Sequence, residues 1–147
     1  MRVVKPKSPG MVLLLNVVTC GIYQLFWMYS TTEDIKYLSN RQDVPSGITA
    51  IILSLVTCGL YEIYWYYRIG SVIQGIYNQN NLVSPVSGSK YMVLFLVGFI
   101  LSFCFGIGTI LIALMPLIVQ SDINNLLALY EQNNPYQQTY QQDFSQY

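Results

Sequence analysis

The stretch VTCGIYQLFW at residues 18–27 returns as VTCGLYEIYW at residues 56–65, so one short chain carries nearly the same ten residues twice. Both copies close an apolar run and introduce a segment rich in aromatic residues. Inside an apolar helix, a Thr hydroxyl can bond back to a carbonyl group one turn earlier, and Gly tolerates a departure from helical backbone. Each copy therefore predicts a bend in a helix.

Aromatic residues follow each bend at helical spacing. Tyr23 and Trp27 are four residues apart and share a helix face, as do Tyr61 and Trp65. Amphipathic aromatic rings favour the headgroup level of a membrane, so each copy predicts an apolar arm, a bend and an aromatic belt. The residues to which we assign this structural role are Thr19, Gly21, Tyr23, Trp27, Thr57, Gly59, Tyr61 and Trp65.

The similarity between the two copies extends beyond the belts and defines an internal repeat over 11–38 and 49–76. Apolar residues such as Ile35 and Leu38 continue at helical spacing among polar ones. This pattern is typical of a short amphipathic extension that lies in the membrane interface. Helix ends packed on neighbouring loops would give the same pattern, and both interpretations stay open.

Composition favours a membrane protein. Apolar residues make up 53% of the 147 residues and charged residues 10%, against about 25% charged residues in soluble domains. Hydrophobic stretches at about 11–29, 48–67 and 91–119 are each long enough for a bilayer core of about 30 Å. We predict an all-α, small multi-pass transmembrane helical bundle with kinked helices at 11–129. We expect this bundle to lie in the cell membrane, in contact with the lipid bilayer.

Lys and Arg residues orient the predicted spans. Three of them lie in residues 1–10, and the two connections carry Lys36 with Arg41 and Arg68 with Lys90. With three crossings, the positive-inside rule favours a cytoplasmic N-terminus at 1–10 and an external C-terminal tail. The two copies would then form an inverted repeat. Re-entrant hairpins, which would put both belts on one face, are the alternative.

The third hydrophobic stretch, 91–119, is longer than a bilayer core requires. We expect one tilted or kinked helix here rather than a chain that folds back at 106–108. Gly98, Ser102 and Gly106 lie four residues apart, so one helix face is nearly bare and is predicted to pack closely on another helix. The Gln- and Tyr-rich residues 130–147 offer no apolar periodicity and predict a disordered tail.

Reactive side chains are scarce. The chain has no His, and Cys20, Cys58 and Cys104 fall one in each hydrophobic stretch without metal-ligand spacing. We interpret them as small buried residues and expect no enzymatic activity, no metal and no cofactor. The formal net charge is zero and basic residues form no run, which argues against nucleic acid as a partner.

Few side chains in the predicted membrane segments could line a path for a polar substrate or ion. Asn16, Gln24 and Glu62 are candidates for a polar membrane site, and Gln24 and Glu62 occupy equivalent positions in the repeat. Glu62 is the only acid within a hydrophobic stretch. The alternative interpretation is that Glu62, close to Arg68 and several tyrosines, is hydrated near the interface.

The repeated phrase resembles that of a family of small bacterial membrane proteins catalogued as domain of unknown function 4234. The family phrase, Thr-x-Gly-Ile-Tyr followed by an aromatic pair ending in Trp, is similar to 19–23 with 26–27 and to 57–61 with 64–65. Gln120 and Asn124 resemble a Gln and an Asn that the family often carries in its terminal helix. The resemblance implies membrane residence and no established activity.

Packing chemistry without reactive chemistry predicts a non-enzymatic scaffold, assembly factor or accessory subunit. Its expected partner is another membrane protein or further copies of itself. The alternative is a small oligomeric channel or transporter in which the two Thr-Cys-Gly repeats form broken helices.

Overall fold

A computed structural model describes residues 4–19, 21–40, 44–105 and 108–133, and all regular structure in these ranges is α-helical. The expected all-α class is confirmed. The helices are α1 (Pro9–Val18), α2 (Ile22–Ser39), α3 (Gly47–Val56), α4 (Leu60–Gln79), α5 (Gly88–Phe105) and α6 (Gly108–Asn133).

The first copy of the phrase reverses the chain. Lys7, just before α1, places its Nζ 2.7 Å from Ser30 Oγ and 2.8 Å from Asp34 Oδ2 on α2. Asn16 near the end of α1 is hydrogen-bonded to Gln24 near the start of α2. Both contacts require α2 to run back beside α1. We call this pair hairpin 1.

The second copy produces hairpin 2, formed by α3 and α4. Helix α3 runs antiparallel to α2, because Glu33 Oε1 accepts a 2.8 Å hydrogen bond from the backbone N of Gly47 and Met28 meets Ser54. The turn after α3 has the same backbone hydrogen bonds as the turn after α1, so the chain reverses again. Helices α2 and α4 therefore run in the same direction, and the inverted-repeat interpretation is wrong for the path of the chain.

The third hydrophobic stretch also folds back and forms hairpin 3 from α5 and α6. Gly98 of α5 lies against Leu111 and Ile112 of α6, and the backbone of Gly108 lies against that of Ser102. The expectation of one tilted or kinked helix over 91–119 was wrong. The small residues Gly98 and Ser102 let α5 and α6 approach each other closely. The third small residue of this row, Gly106, lies outside the described residues.

The three hairpins form a closed ring. Hairpin 1 contacts hairpin 2 through α2 and α3, hairpin 2 contacts hairpin 3 through α4 and α5, and α6 returns to pack on α1. Most buried side chains lie on α2, α4 and α6, whereas α1, α3 and α5 expose many of theirs. The core therefore lies among the three helices that follow the turns.

The repeat includes the junctions between hairpins. Gly47 at the start of α3 packs against Tyr29 of α2, and Gly88 at the start of α5 packs against Tyr67 of α4. Tyr29 and Tyr67 are equivalent in the repeat. Hairpin 3 thus docks on hairpin 2 in the way that hairpin 2 docks on hairpin 1.

Large exposed apolar side chains concentrate on α1, α3, α5 and the residues beside the turns. By length and composition, one helix of the described part, Gly108–Tyr130 within α6, could cross a membrane, and α1, α3 and Gly88–Ser102 are apolar but shorter. Helix α6 continues to Asn133, past residue 130, where the disordered tail was expected to begin; residues 134–147 lie outside the described ranges.

The close crossing of α4 and α5 makes a test of the fold. A methyl group at Gly70 would lie 2.8 Å from Gly88 Cα and 2.9 Å from Ser87 O. We expect Gly70→Ala to lower the free energy of unfolding by about 1–3 kcal/mol, since backbone must move to admit the methyl group. The measurement is thermal unfolding of the purified protein in detergent.

Gly10→Ala is the matched control for this substitution. Nothing lies within 4 Å of a methyl group at Gly10 in α1. Because Ala has the higher helix propensity, stability should stay the same or rise by about 0.5–1 kcal/mol. Equal unfolding temperatures for the two variants would contradict the α4–α5 packing described above.

Candidate functional site

The second Thr-Cys-Gly turn reverses the chain through two successive residues with positive φ. Cys58 has φ 51°, and Gly59 has φ 89° and ψ −9°, a conformation that glycine adopts without steric cost. The Gly59 N–H donates to Ser54 O at 2.8 Å, which closes the end of α3 in the manner of a Schellman motif. In the first copy Gly21 repeats the φ of 89° and donates to Asn16 O at 2.9 Å.

The Thr hydroxyl of the turn serves two helices at once. Thr57 Oγ1 donates to Leu53 O at 2.7 Å and accepts from the backbone N of Tyr61 at 2.9 Å. Thr19 makes the corresponding bonds in the first copy, at the same two distances. The hydroxyl thereby satisfies one orphan donor at the start of the new helix, a group that apolar surroundings would leave without water.

The two Trp residues of the phrase do not form an exposed belt. Trp27 is 1% exposed and Trp65 3% exposed, and their rings meet edge to face with centroids 5.7 Å apart. They are buried because α2 and α4 line the inside of the ring. Beside the two described turns, Phe26 and Tyr64 are exposed, and their rings pack at tilted angles against the half-buried Tyr23 and Tyr61.

Each Trp side chain also forms a hydrogen bond to a neighbouring hairpin. Trp65 of hairpin 2 donates through Nε1 to Thr32 Oγ1 of hairpin 1 at 2.9 Å. Trp27 of hairpin 1 donates in the same way to Gln120 Oε1 of hairpin 3 at 2.8 Å. The indole N–H groups thus hold hairpin 1 to both of its neighbours.

Gln120 also links Trp27, through Asn124, to the N-terminal segment before α1. Its Nε2 donates to Asn124 Oδ1 at 3.0 Å. The Asn124 amide then binds the backbone of Lys7 twice, accepting from Lys7 N at 3.2 Å and donating to Lys7 O at 2.6 Å. Lys7 Nζ forms an ion pair with Asp34, so residues 4–8 act as a strap that joins α6 to α2.

Two of the three candidate polar residues come into direct contact. Asn16 Nδ2 donates to Gln24 Oε1 at 3.1 Å, and Gln24 Nε2 donates to Tyr66 Oη at 3.0 Å. Glu62 lies one helical turn before Tyr66 and is half-buried. Asn16 Oδ1 is buried and has no hydrogen-bond partner among the described residues. The group is a short polar chain between hairpins 1 and 2.

One of the three cysteines, Cys58, differs from the buried role expected of it. Cys58 is exposed as a free thiol, because it occupies a tight turn with its side chain directed outward. Cys20 and the side chain of Cys104 lie outside the described part. Within the described ranges, no three His, Cys, Asp or Glu side chains come together to hold a metal ion.

A shallow pocket lies at the end of the bundle opposite the turns. Its volume is about 10 Å³, room for about one water molecule. Burial, together with the nearby charge of Asp122, raises the pKa of the Tyr77 hydroxyl on its wall. The side chains that line it are Ile76, Tyr77, Asn80, Leu82, Leu126, Leu129 and Tyr130.

A comparison with protein families gives two matches to one family model, Domain of unknown function (DUF4234). The matches cover residues 7–75 and 46–132. The chain belongs to this family. Neither the curated proteins nor the solved structures contain a match.

The two DUF4234 matches overlap in hairpin 2. The first match spans hairpins 1 and 2, and the second spans hairpins 2 and 3. Each match to the family model therefore covers about two successive hairpins. Hairpin 2 is the second hairpin of the first match and the first hairpin of the second match. Hairpin 3 is aligned with the family although it lacks the Thr-Cys-Gly phrase.

Substitution of Thr57 tests the double role of the hydroxyl. Thr57→Val keeps the shape of the side chain but leaves the Leu53 carbonyl and the Tyr61 N–H without this partner. We expect the free energy of unfolding to fall by about 1–3 kcal/mol. Thr57→Ser retains the hydroxyl and should lose clearly less. If thermal unfolding gave the same loss for both variants, the methyl group rather than the hydroxyl would be the stabilising group.

Substitution of Gln120 tests the connection between Trp27 and the N-terminal strap. Gln120→Leu leaves the buried indole N–H unpaired, so we expect a loss of about 1–3 kcal/mol in thermal unfolding. The N-terminal residues should also be cleaved faster in limited proteolysis. Asn125→Leu, at an exposed position of α6, is the control and should change neither measurement. Unchanged proteolysis in Gln120→Leu would show that the strap is held independently.

Proposed function

We propose that this DUF4234 protein is a membrane-embedded, non-enzymatic scaffold, assembly factor or accessory subunit of a cell-membrane complex. The observation that supports a membrane location most strongly is the separation of its surface into two parts. Exposed apolar side chains cover α1, α3, the described part of α5 and the residues beside the two Thr-Cys-Gly turns. The described Lys and Arg residues lie toward the opposite, polar end, and they are Lys5, Lys7, Lys36, Arg68 and Lys90.

The lengths of the helices favour entry from one side. Helices α1 and α3 have 10 residues each, about 15 Å, which is half of a hydrocarbon core of about 30 Å. Because both turns that follow them reverse the chain, hairpins 1 and 2 would enter and leave through the same face. This proposal replaces the three single crossings expected from the sequence. The positive-inside rule favours the cytoplasm for the polar end.

A channel through the monomer is disfavoured. Trp27, Trp65, Met115 and Gln120 fill the middle of the ring, each at most 3% exposed. The polar chain of Asn16, Gln24 and Tyr66 is the observation that keeps the channel or transporter as a second candidate, and the path would then have to form between copies. Ion flux in vesicles that contain the purified protein would support this candidate.

The hydrogen bonds of the buried polar residues support the scaffold function. The polar side chains inside the ring bond to one another across hairpins, as Trp27 does with Gln120 and Trp65 with Thr32. The outer faces of α1, α3 and α5 remain available to lipid or to a partner protein. Crosslinking in native membranes would identify the partner, and capture of a different membrane protein favours the scaffold over a homo-oligomeric channel.

Labelling of single cysteines tests the topology. In a parent without Cys20, Cys58 and Cys104, a cysteine replaces Ser39 or Asn80, which lie at the two connections of the polar end. We expect no labelling by a membrane-impermeant thiol reagent in intact cells and labelling at both positions in inside-out vesicles. Labelling at Ser39 but not at Asn80 in intact cells would instead establish single crossings and contradict entry from one side.

A further inference from the structure

The three hairpins reach to different depths. Trp27 and Gln120 are hydrogen-bonded and therefore lie at one level of the bundle. Trp27 follows the start of α2 by 5 residues, and Gln120 follows the start of α6 by 12. Because α2 and α6 run in the same direction from their turns, hairpin 3 extends about 10 Å farther than hairpin 1.

The outward faces of α1 and α3 are apolar up to the turns, and the half-buried Gln24 and Glu62 lie one helical turn beyond them on α2 and α4. The outward faces of α1 and α3 expose large aliphatic side chains along their whole length, and at the turns Val18 is 69% exposed and Val56 76% exposed. These faces match the depth of one leaflet, about 15 Å of hydrocarbon. Embedded from the polar end, hairpins 1 and 2 fill one leaflet and stop near the bilayer centre.

The areas that the protein occupies in the two leaflets therefore differ. Six helices displace lipid in the leaflet through which the protein enters, whereas only the two helices of hairpin 3 continue into the other. With a diameter of about 10 Å for each helix, the four additional helices occupy about 300 Å² more of the first leaflet. A difference of this sign favours a bilayer that is convex on the side of the polar end.

We infer that this protein recognises and promotes membrane curvature, with a convex bilayer surface as the preferred partner of its apolar hairpins. The inference rests on the proposed membrane insertion from one side. Membrane binding of apolar faces that lie in one leaflet is sensitive to curvature, because a convex surface opens gaps between headgroups that such faces fill. Helices that crossed both leaflets equally would have no such preference.

The test uses the full chain as the Asn80→Cys variant without other cysteines. The purified protein is reconstituted from detergent into a mixture of small, strongly curved vesicles and large, nearly flat vesicles. Both have the same composition, equal parts of phosphatidylcholine and phosphatidylglycerol. After flotation and separation by size, an impermeant thiol reagent divides each population into molecules with the polar end outside and molecules with it inside.

The two orientations control for each other, because they share sequence, detergent and lipid. Molecules with the polar end outside should be enriched several-fold per lipid on the small vesicles. Molecules with the polar end inside face a concave leaflet and should be depleted there. A general preference of the protein for loosely packed vesicles would not reverse sign with orientation.

The outcomes separate the inference from the proposal on which it rests. Enrichment on small vesicles with the polar end outside, together with depletion there with it inside, supports recognition of a convex surface, and the reverse pattern would overturn it. Equal protein per lipid on both sizes, or the same preference in both orientations, would overturn it and leave membrane insertion standing. Absence of the protein from floated vesicles of either size would overturn the proposed insertion itself, and the curvature preference with it.

Discussion

One hydroxyl group at each Thr-Cys-Gly turn bonds to two helices, and the path of the whole chain depends on this arrangement. The group donates to the last turn of one helix and accepts from the first turn of the next. A reversal in apolar surroundings normally leaves backbone groups unsatisfied where no water can reach them. The Thr bonds and the glycine conformation remove that cost, so α2 and α4 can run in the same direction and bring Trp27 against Trp65.

Much of the local structure could be predicted from the sequence, but its direction could not. The positions of Thr and Gly indicated where two helices would be interrupted, and apolar periodicity indicated an all-α chain. At the second turn the chain reverses through positive φ at Cys58 and Gly59, and a glycine permits such a conformation without requiring it. In the third stretch, the bare faces of Gly98 and Ser102 indicated close packing, although not that the partner helix was the continuation of the same chain.

Contacts between distant residues were beyond prediction for a different reason. Trp27 and Trp65 were expected at a membrane interface because amphipathic aromatic rings favour the headgroup level, and only closure of the ring buries these two side chains. Lys7 and Asn124 are 117 residues apart, and nothing in their local sequences indicates that they meet. Gln120 and Asn124 were noticed through the family resemblance, whereas their bonds to Trp27 and Lys7 follow from the position of α6.

The strap has a consequence for how the protein is made. Its two backbone bonds are supplied by Asn124, 117 residues after Lys7, so they form only after five of the six described helices have been synthesised. At about 5–20 residues per second, the N-terminal segment waits roughly 6–25 s for its partner. During that time hairpins 1 and 2 can already pair, while the side of α1 that α6 will cover remains vacant. A nascent chain is therefore open on one side until α6 has been translated and packs on α1.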